Sequence, residues 1–530
     1  MQFSPVIVHY HAFPGGVSSL ILKSLDILVS RNYILNDITI ILGTLDRSEW
    51  FFEELKLITA KKIKVRIEVV PEIFYWDSAH GKPADVAERI QEKLLKAAGP
   101  DRILWVQNPT LGRNPALFMA VRRIARKEPD RKIWLHVHDS AEQGRWSNLA
   151  LMHTHIGEPY YFDAPGTRWI TINRNDYTAY KFSGMPIEHL HYVPNPLTHP
   201  LMADSPPARA TVAAKLADYA AQNGFTFNRK SPWLLFAGRA IRRKNLLEAA
   251  LISLCASKKP NLLVTLPADA PDEKPYEEAV FSTLRTYKVG VAGFGPQLIA
   301  NDFTLTDLAC ASDAIISCSV MEGFGLPYLE FPILGKSLFA KKIYVMDDFS
   351  GIAHLLPHNY YSELIVPADK KTRETQFAEY EKKISILRGR FGISHTDAEK
   401  TLALLRDHFS QEKIYFSYLS VPAQINFIKQ AVETKMLGEI HAYNPEVFTM
   451  LSNALSSGCH DVERVSSSIN TLFGPEIYAR NIESLLNSYK TTHHNIKLPA
   501  FNPPEFAHKL LTYFFIPENL RLLLDYGDWK

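Results

Sequence analysis

Short runs of consecutive apolar residues alternate along this chain with stretches in which apolar positions recur every three or four residues. Val6-Ile7-Val8-His9-Tyr10 is such a run, ending at His11-Ala12-Phe13-Pro14-Gly15-Gly16. Beyond it Val17, Leu20, Ile21, Leu25 and Leu28 fall on one helical face. The pattern predicts strands at 38–42, 63–70, 102–106, 132–137, 169–172 and 189–193, with helices at 83–98 and 116–126. Strands separated by helices of this length indicate a parallel sheet covered on both faces. The alternation restarts at Trp233-Leu234-Leu235-Phe236-Ala237, with further strands expected at 261–266, 289–291, 313–319, 337–343 and 363–366. After Ala368 it gives way to helical patterns, among them 446–455, 477–489 and 506–515.

The fold class expected is therefore α/β: two Rossmann-like, doubly wound domains facing a cleft, followed by a largely helical C-terminal extension. The expected divisions are 1–200, a connector at 201–231 rich in Pro and Ala, 232–368, and the extension 369–530. At 530 residues the chain is too long for a single core. Its 46% apolar and 22% charged residues are those of an ordinary soluble protein.

A net charge of +3 gives no case for nucleic acid. Four widely spaced cysteines form no C-x-x-C, which fits buried thiols in a reducing compartment. The N-terminus lacks the basic-then-apolar pattern of a signal peptide, and no apolar run reaches spanning length. A cytoplasmic location is expected, with peripheral contact at the inner membrane face left open. The apolar segment 510–516 reads as a helix docked on the main body, or as a partner- or membrane-docking surface. Arg122-Arg123 with Arg126-Lys127 reads as a solvated helix face, or, if functional, as a surface for anionic lipid or a phosphorylated acceptor. His493-His494 reads as an exposed loop. Oligomeric state is not legible.

Candidate chemistry gathers at predicted strand ends, where open α/β sheets bind ligands. In Glu322-Gly323-Phe324-Gly325-Leu326-Pro327-Tyr328-Leu329-Glu330, two carboxylates flank a glycine turn that enters a helix. Glycines let backbone N–H groups approach a ligand, and helix mouths favour anions. Carboxylates would repel a phosphate, so they suit hydroxyls, and a ligand with hydroxyls at both ends of a diphosphate is a nucleotide sugar. Upstream, Gly238-Arg239-Ala240-Ile241-Arg242-Arg243-Lys244-Asn245 offers Arg239 and Lys244 to the diphosphate, or is merely a solvated basic loop. In His136-Val137-His138-Asp139 the two histidines share a strand face, with Asp139 turned away unless the loop reorients it. Gln107-Asn108 is a second polar strand end, competing with it for acceptor contacts. Gly15-Gly16 offers N–H groups to phosphate or acceptor, or is only a tight turn.

Together, Gly15-Gly16, Gly238-Arg239 with Lys244, and Glu-Gly-Phe-Gly-Leu-Pro-x-x-Glu followed by Gly335-Lys336 resemble the group 1 (GT4-like) retaining glycosyltransferases of GT-B fold, over roughly residues 5–368. The resemblance implies a donor held mainly by the second domain. Arg239 and Lys244 match the diphosphate pair, Glu322 the carboxylate near the donor sugar and Glu330 that on the ribose. The backbone of Phe324, Gly325 and Leu326 would bind sugar and phosphate, and a strand-end histidine, taken as His138, would contact the sugar. His136, Asp139, Gln107 and Asn108 are left as acceptor-side candidates. No metal and no cofactor is expected; the co-substrate is a nucleoside diphosphate sugar, UDP or GDP ahead of ADP, and the chain contains no Asp-x-Asp. The activity implied is transfer of a hexosyl group to a hydroxyl acceptor. The alternatives are a silent nucleotide-sugar-binding scaffold, or another GT-B enzyme such as an epimerase or glycoside phosphorylase.

Overall fold

The computed structural model describes residues 2–59, 63–77, 79, 81–157, 159–198, 207–299, 301–456, 458, 461–491 and 501–525. Among them two parallel sheets dominate. The first has seven strands in the order β3-β2-β1-β4-β5-β6-β7. These are β1 (Pro5–His9), β2 (Asp37–Leu42), β3 (Lys64–Val69), β4 (Ile103–Gln107), β5 (Ile133–Val137), β6 (Thr167–Thr171) and β7 (Leu190–Tyr192). The second has six, in the order β10-β9-β8-β11-β12-β13. They are β8 (Trp233–Arg239), β9 (Asn261–Leu266), β10 (Gly290–Ala292), β11 (Ala314–Ser317), β12 (Leu338–Lys341) and β13 (His358–Tyr361).

The central strands are largely apolar because both of their faces are covered. All five residues of Ile-Leu-Trp-Val-Gln in β4 are buried, as are all five of Ile-Trp-Leu-His-Val in β5. Strand order reverses beside β1 in the first sheet and beside β8 in the second, so each sheet opens a crevice beyond its carboxyl ends.

The last expected strand is corrected. Glu363–Val366 does not extend the second sheet; Ile365–Pro367 (β14) pairs antiparallel with Lys413–Tyr415 (β15) in a separate ribbon. The sixth position is held instead by β13, whose His-Asn-Tyr-Tyr sequence is polar and half-buried, as suits an edge. The connector expected at 201–231 begins outside the described residues. Its helix, Arg209–Gln222, packs on the second sheet's side, where the Tyr219 hydroxyl donates to the Ala292 carbonyl at 3.2 Å. Cys459 and His493-His494 also lie outside the described residues.

The C-terminal region is helical and threads both lobes. Helix Pro475–Thr491 returns to the first lobe: the Tyr478 hydroxyl donates to Ser24 Oγ at 2.8 Å, and Arg168 Nε donates to Ser488 Oγ at 2.8 Å. Helix Pro503–Phe514 packs on helix Arg174–Ser183, with Phe506 against Tyr161 and Tyr180. The chain then reaches the second lobe, where Asp525 meets Arg242 Nε at 2.5 Å. Segment 510–516 is part of this docked region; Leu510, Leu511, Phe514 and Phe515 are buried. Among the described residues no helix is long and apolar enough to cross a membrane. The Arg122 cluster is not simply a solvated face: Arg122 is buried and donates to the Pro159 carbonyl at 3.2 Å, while Arg126 and Lys127 are exposed.

Candidate active site

Glu322 lies in the loop leaving β11, its carboxylate buried between two cations of the loop after β8. Lys244 Nζ is 2.5 Å from Oε1 and Arg243 Nη1 is 2.8 Å from Oε2. Arg243 also donates to the Met321 carbonyl at 2.9 Å, and its own carbonyl accepts the Val320 N–H at 2.9 Å. The two loops are thus stitched together through Arg243. The Tyr344 hydroxyl closes the far side by donating to the Glu322 carbonyl.

Burial alone would raise the Glu322 carboxyl, but the flanking Lys244 and Arg243 outweigh it and hold the group at about 2. The Lys244 ammonium is pushed down to about 8, first by burial and then by Arg243, against the pull of Glu322. Glu322 is therefore a fixed anion at neutral pH, unsuited to donating a proton.

The glycine turn is one of the places where the lobes touch. A Cβ on Gly323 would lie 2.9 Å from the His138 carbonyl of the first lobe, so that approach requires glycine. Asn173 Nδ2 donates to the Gly323 carbonyl at 2.7 Å from the same side. Gly325 has φ +82, a left-handed conformation that starts helix Pro327–Ile333. Phe324 packs inward against Phe349 and Phe473. Glu330, in the first turn of that helix, meets Lys23 of helix Gly16–Ser30 at 2.9 Å.

On the opposite wall, His138 is buried and its Nε2 lies 2.9 Å from Gln107 Oε1. Burial, only partly opposed by Asp139, lowers its imidazole to about 4, so it is neutral at pH 7. Asp139 is not turned away. It binds Arg145 at 2.6 Å, and although burial favours its neutral form, Arg145 and Arg243 hold its carboxyl below the usual range. Asn108 is a backbone clamp: in a left-handed conformation, its Oδ1 accepts the N–H groups of His138 and Asp139 at 3.3 and 3.0 Å. His136 sits one layer deeper, its ring against His138 and its Nδ1 accepting from Trp105 Nε1 at 3.3 Å.

Arg239 stands apart from Lys244. It pairs with Asp269 at 2.7 Å and donates across the cleft to the Pro14 carbonyl. A Cβ on Gly15 would come within 3.2 Å of the Arg239 guanidinium, whereas one on Gly16 would meet nothing within 4 Å. The structure thus brings Glu322 and Lys244 together, sets His138, Gln107 and Asp139 opposite them, and joins Arg239 to the Gly15 turn. Sequence reasoning missed Arg243 and Arg145. Arg243 stood in the basic run that gave Arg239 and Lys244, but nothing local distinguishes the arginine that turns inward. Among the described residues no group of three or more His, Cys, Asp and Glu side chains is placed to hold a metal ion.

No protein-family model matches the chain. It is 28% identical over 542 residues to mannosylglucosyl-3-phosphoglycerate synthase of Petrotoga mobilis (strain DSM 10674 / SJ95), a match covering 98% of this chain and 99% of that protein. Among solved structures it is similar to Anabaena HepE (Alr3699) in complex with UDP, at 14% identity and a TM-score of 0.45, over 92% of this chain and 100% of that one. It is also similar to sucrose-phosphate synthase from Thermosynechococcus elongatus, at 12% identity and a TM-score of 0.47, over 92% of this chain and 98% of that one. The chain thus has the two-sheet architecture of the GT-B fold, and over nearly the whole of both chains it is similar to a synthase that makes a glycosylated 3-phosphoglycerate.

Proposed function

We propose that the chain is a retaining, GT4-like hexosyltransferase that moves sugar from a UDP or GDP donor to an acceptor hydroxyl without a metal ion. The single observation that carries this reading is the buried ion triad of Glu322, Arg243 and Lys244 beside the Gly323 turn that meets His138 across the cleft. Glu322, fixed as an anion, suits the sugar, where positive charge develops as the glycosidic bond breaks. Lys244 is charged below about pH 8, and with Arg239 it would neutralise the leaving diphosphate. Of the opposite-wall groups, His138 at about 4 is a weak base and Asp139 is held by Arg145. Neither is poised to deprotonate an acceptor, which favours proton transfer to the departing phosphate and retention of configuration. Glu330 would bind the ribose hydroxyls, and the backbone of Phe324, Gly325 and Leu326 the phosphates.

The likeness to a synthase whose product carries a 3-phosphoglycerate group supports an acceptor with a negatively charged end. The division into an acceptor lobe at 1–200 and a donor lobe at 232–368 belongs to the same proposal. The test is to incubate the chain with UDP- and GDP-hexoses and phosphoglycerate-bearing acceptors, then follow nucleotide release and the anomeric proton couplings of the product. Transfer with the donor configuration kept is the expected result. Nucleotide release without transfer, or an inverted product, would overturn the reading.

A further inference from the structure

Four adjacent strands of the first sheet, in the order β3-β2-β1-β4, end on the cleft side in loops that bear Tyr75, Arg47, His11 and Arg113 respectively. These side chains form one surface. The Arg113 guanidinium lies over the Tyr75 ring, 5.3 Å from its centroid, and Arg47 lies over Phe13 at 4.9 Å. His11 stacks on Phe13 with centroids 4.1 Å apart, and its Nε2 is 2.9 Å from the Tyr75 hydroxyl.

The hydrogen bonds orient this surface. His11 Nδ1 accepts the Phe13 N–H at 3.2 Å, so its proton is assigned to Nε2, which donates to the Tyr75 oxygen. The Tyr75 proton is then directed away from His11. His11 is neutral at pH 7, lowered to about 4 by burial and by the Arg239 charge, so the chain of donors does not depend on its ionisation.

Both arginines meet carboxylates, and both carboxylates come from one loop of the other lobe, Asp269-Ala270-Pro271-Asp272 after β9. Arg47 binds Asp269 at 2.8 Å, and Arg113 approaches Asp272 at 3.5 Å. Asp269 also holds Arg239. These contacts are weak for a competitor to replace. The Arg47 side chain is 53% exposed and that of Asp272 is 54% exposed, and pairs so open to water contribute about 0–1 kcal/mol. A phosphate or carboxylate with several oxygens matches a guanidinium fork better than these single contacts do.

We propose that His11, Arg47, Tyr75 and Arg113 form the subsite for the negatively charged end of the acceptor, a phosphate- or carboxylate-bearing group, and that Asp269 and Asp272 are internal anions which that group displaces. This inference rests on the transferase reading for the word acceptor, but the binding of an anion there does not. Arg239 and Lys244 come from the end of β8 and the loop after it in the other lobe, whereas Arg47 and Arg113 come from the first, so the subsite and the diphosphate site can be mutated separately.

The experiment is calorimetry on the full chain with 3-phosphoglycerate, glycerol 3-phosphate and glycerol as probes, and UDP and GDP in parallel. The proteins are wild type, the Arg47→Gln/Arg113→Gln double variant, and Asp272→Asn. The two anions should bind wild type and glycerol should not. The double variant should lose affinity for the anions by about tenfold or more, as expected for hydrogen bonds to a charged group. Asp272→Asn should bind them several times more tightly, and nucleotide affinity should be the same in all three. Equal anion binding by wild type and the double variant, no anion binding by wild type, or loss of nucleotide binding along with anion binding would each overturn the subsite. If the double variant does not fold, Asp272→Asn decides: unchanged or weaker anion binding overturns it. Anion binding with no sugar transfer to any acceptor would refute the reaction and leave the subsite standing.

Discussion

Arg243 holds one oxygen of Glu322 and Lys244 the other, but only Arg243 is also anchored to backbone, at the Met321 carbonyl. The carboxylate therefore has a fixed partner and a movable one. Lys244 can turn toward a diphosphate without leaving Glu322 as an unpaired buried charge, because Arg243 stays. This separates stability from activity. Glu322→Ala leaves two cations buried together and should cost about 3–5 kcal/mol of stability, the usual penalty for breaking a buried pair. Lys244→Met leaves Arg243 and Glu322 balanced and should cost much less, while transfer falls by about 10²–10³ as expected for losing one electrostatic contact to the leaving group. Urea denaturation beside steady-state kinetics would check the pair of values. Equal destabilisation by both substitutions would deny Arg243 its anchoring role.

The same triad sets a pH dependence in which activity and stability move in opposite directions. Lys244 has a folded-state value of about 8 against an ordinary 10.5, so between these pH values the unfolded chain binds the additional proton. Its contribution to stability rises with pH through that window, and below about 8 the cost of burying the ammonium is fully present. Glu322 behaves conversely: held at about 2 against an ordinary 4.5, it contributes fully above 4.5 and loses that contribution as pH falls toward 2. The role proposed for Lys244 requires its ammonium form, so kcat/KM should fall above about pH 8 while the fold does not weaken on its account. Arg243→Met removes a positive neighbour and should move this limb upward. A limb that stays in place would detach it from Lys244. His138, at about 4, should give no limb near pH 6.

Arg239 is engaged by Asp269 and the Pro14 carbonyl, so the donor contact proposed for it requires it to be redirected. Arg239→Ala should raise the donor KM by about tenfold with little effect on acceptor KM, in the range for a charged hydrogen bond. Initial-rate kinetics with both substrates varied would test this. An effect confined to the acceptor KM would place Arg239 in the wrong subsite.

Much of the scaffold was legible because burial on both faces writes itself into the strands. The helix expected at 83–98 has those bounds, since its apolar positions and its opening Pro are local signals. β13 was not legible: a half-buried edge strand of His, Asn and two Tyr carries no apolar run. Ile365–Pro367 does carry one, but what it pairs with is decided by residues 413–415, far along the chain. The site divides in the same way. Glu322, Lys244 and the glycine turn announce themselves by spacing. Arg242 and Arg243 are adjacent and chemically identical, yet one turns to Asp525 and the other to Glu322. That choice depends on a residue 283 positions away, which no local pattern records. The cross-lobe ties of Arg47 and Arg113 to 269–272 were invisible for the same reason.

Lys23 and Glu330 join the lobes at the place proposed for the donor ribose, with Nζ 2.9 Å from Oε1 and side chains 25% and 30% exposed. If Glu330 binds ribose hydroxyls, Lys23 competes with them for the carboxylate. A partly exposed pair contributes about 0–1 kcal/mol, so the competition is mild and its removal should be measurable without unfolding the chain. Lys23→Met should therefore tighten UDP or GDP binding by up to about fivefold, the factor corresponding to that energy. Glu330→Gln should weaken it. Calorimetry at low and high salt would separate the effects, since the advantage of Lys23→Met should shrink as salt screens the wild-type ion pair. Should Lys23→Met instead weaken nucleotide binding in step with Glu330→Gln, the contact would be a strut that shapes the donor pocket, and Lys23 would count as part of the site.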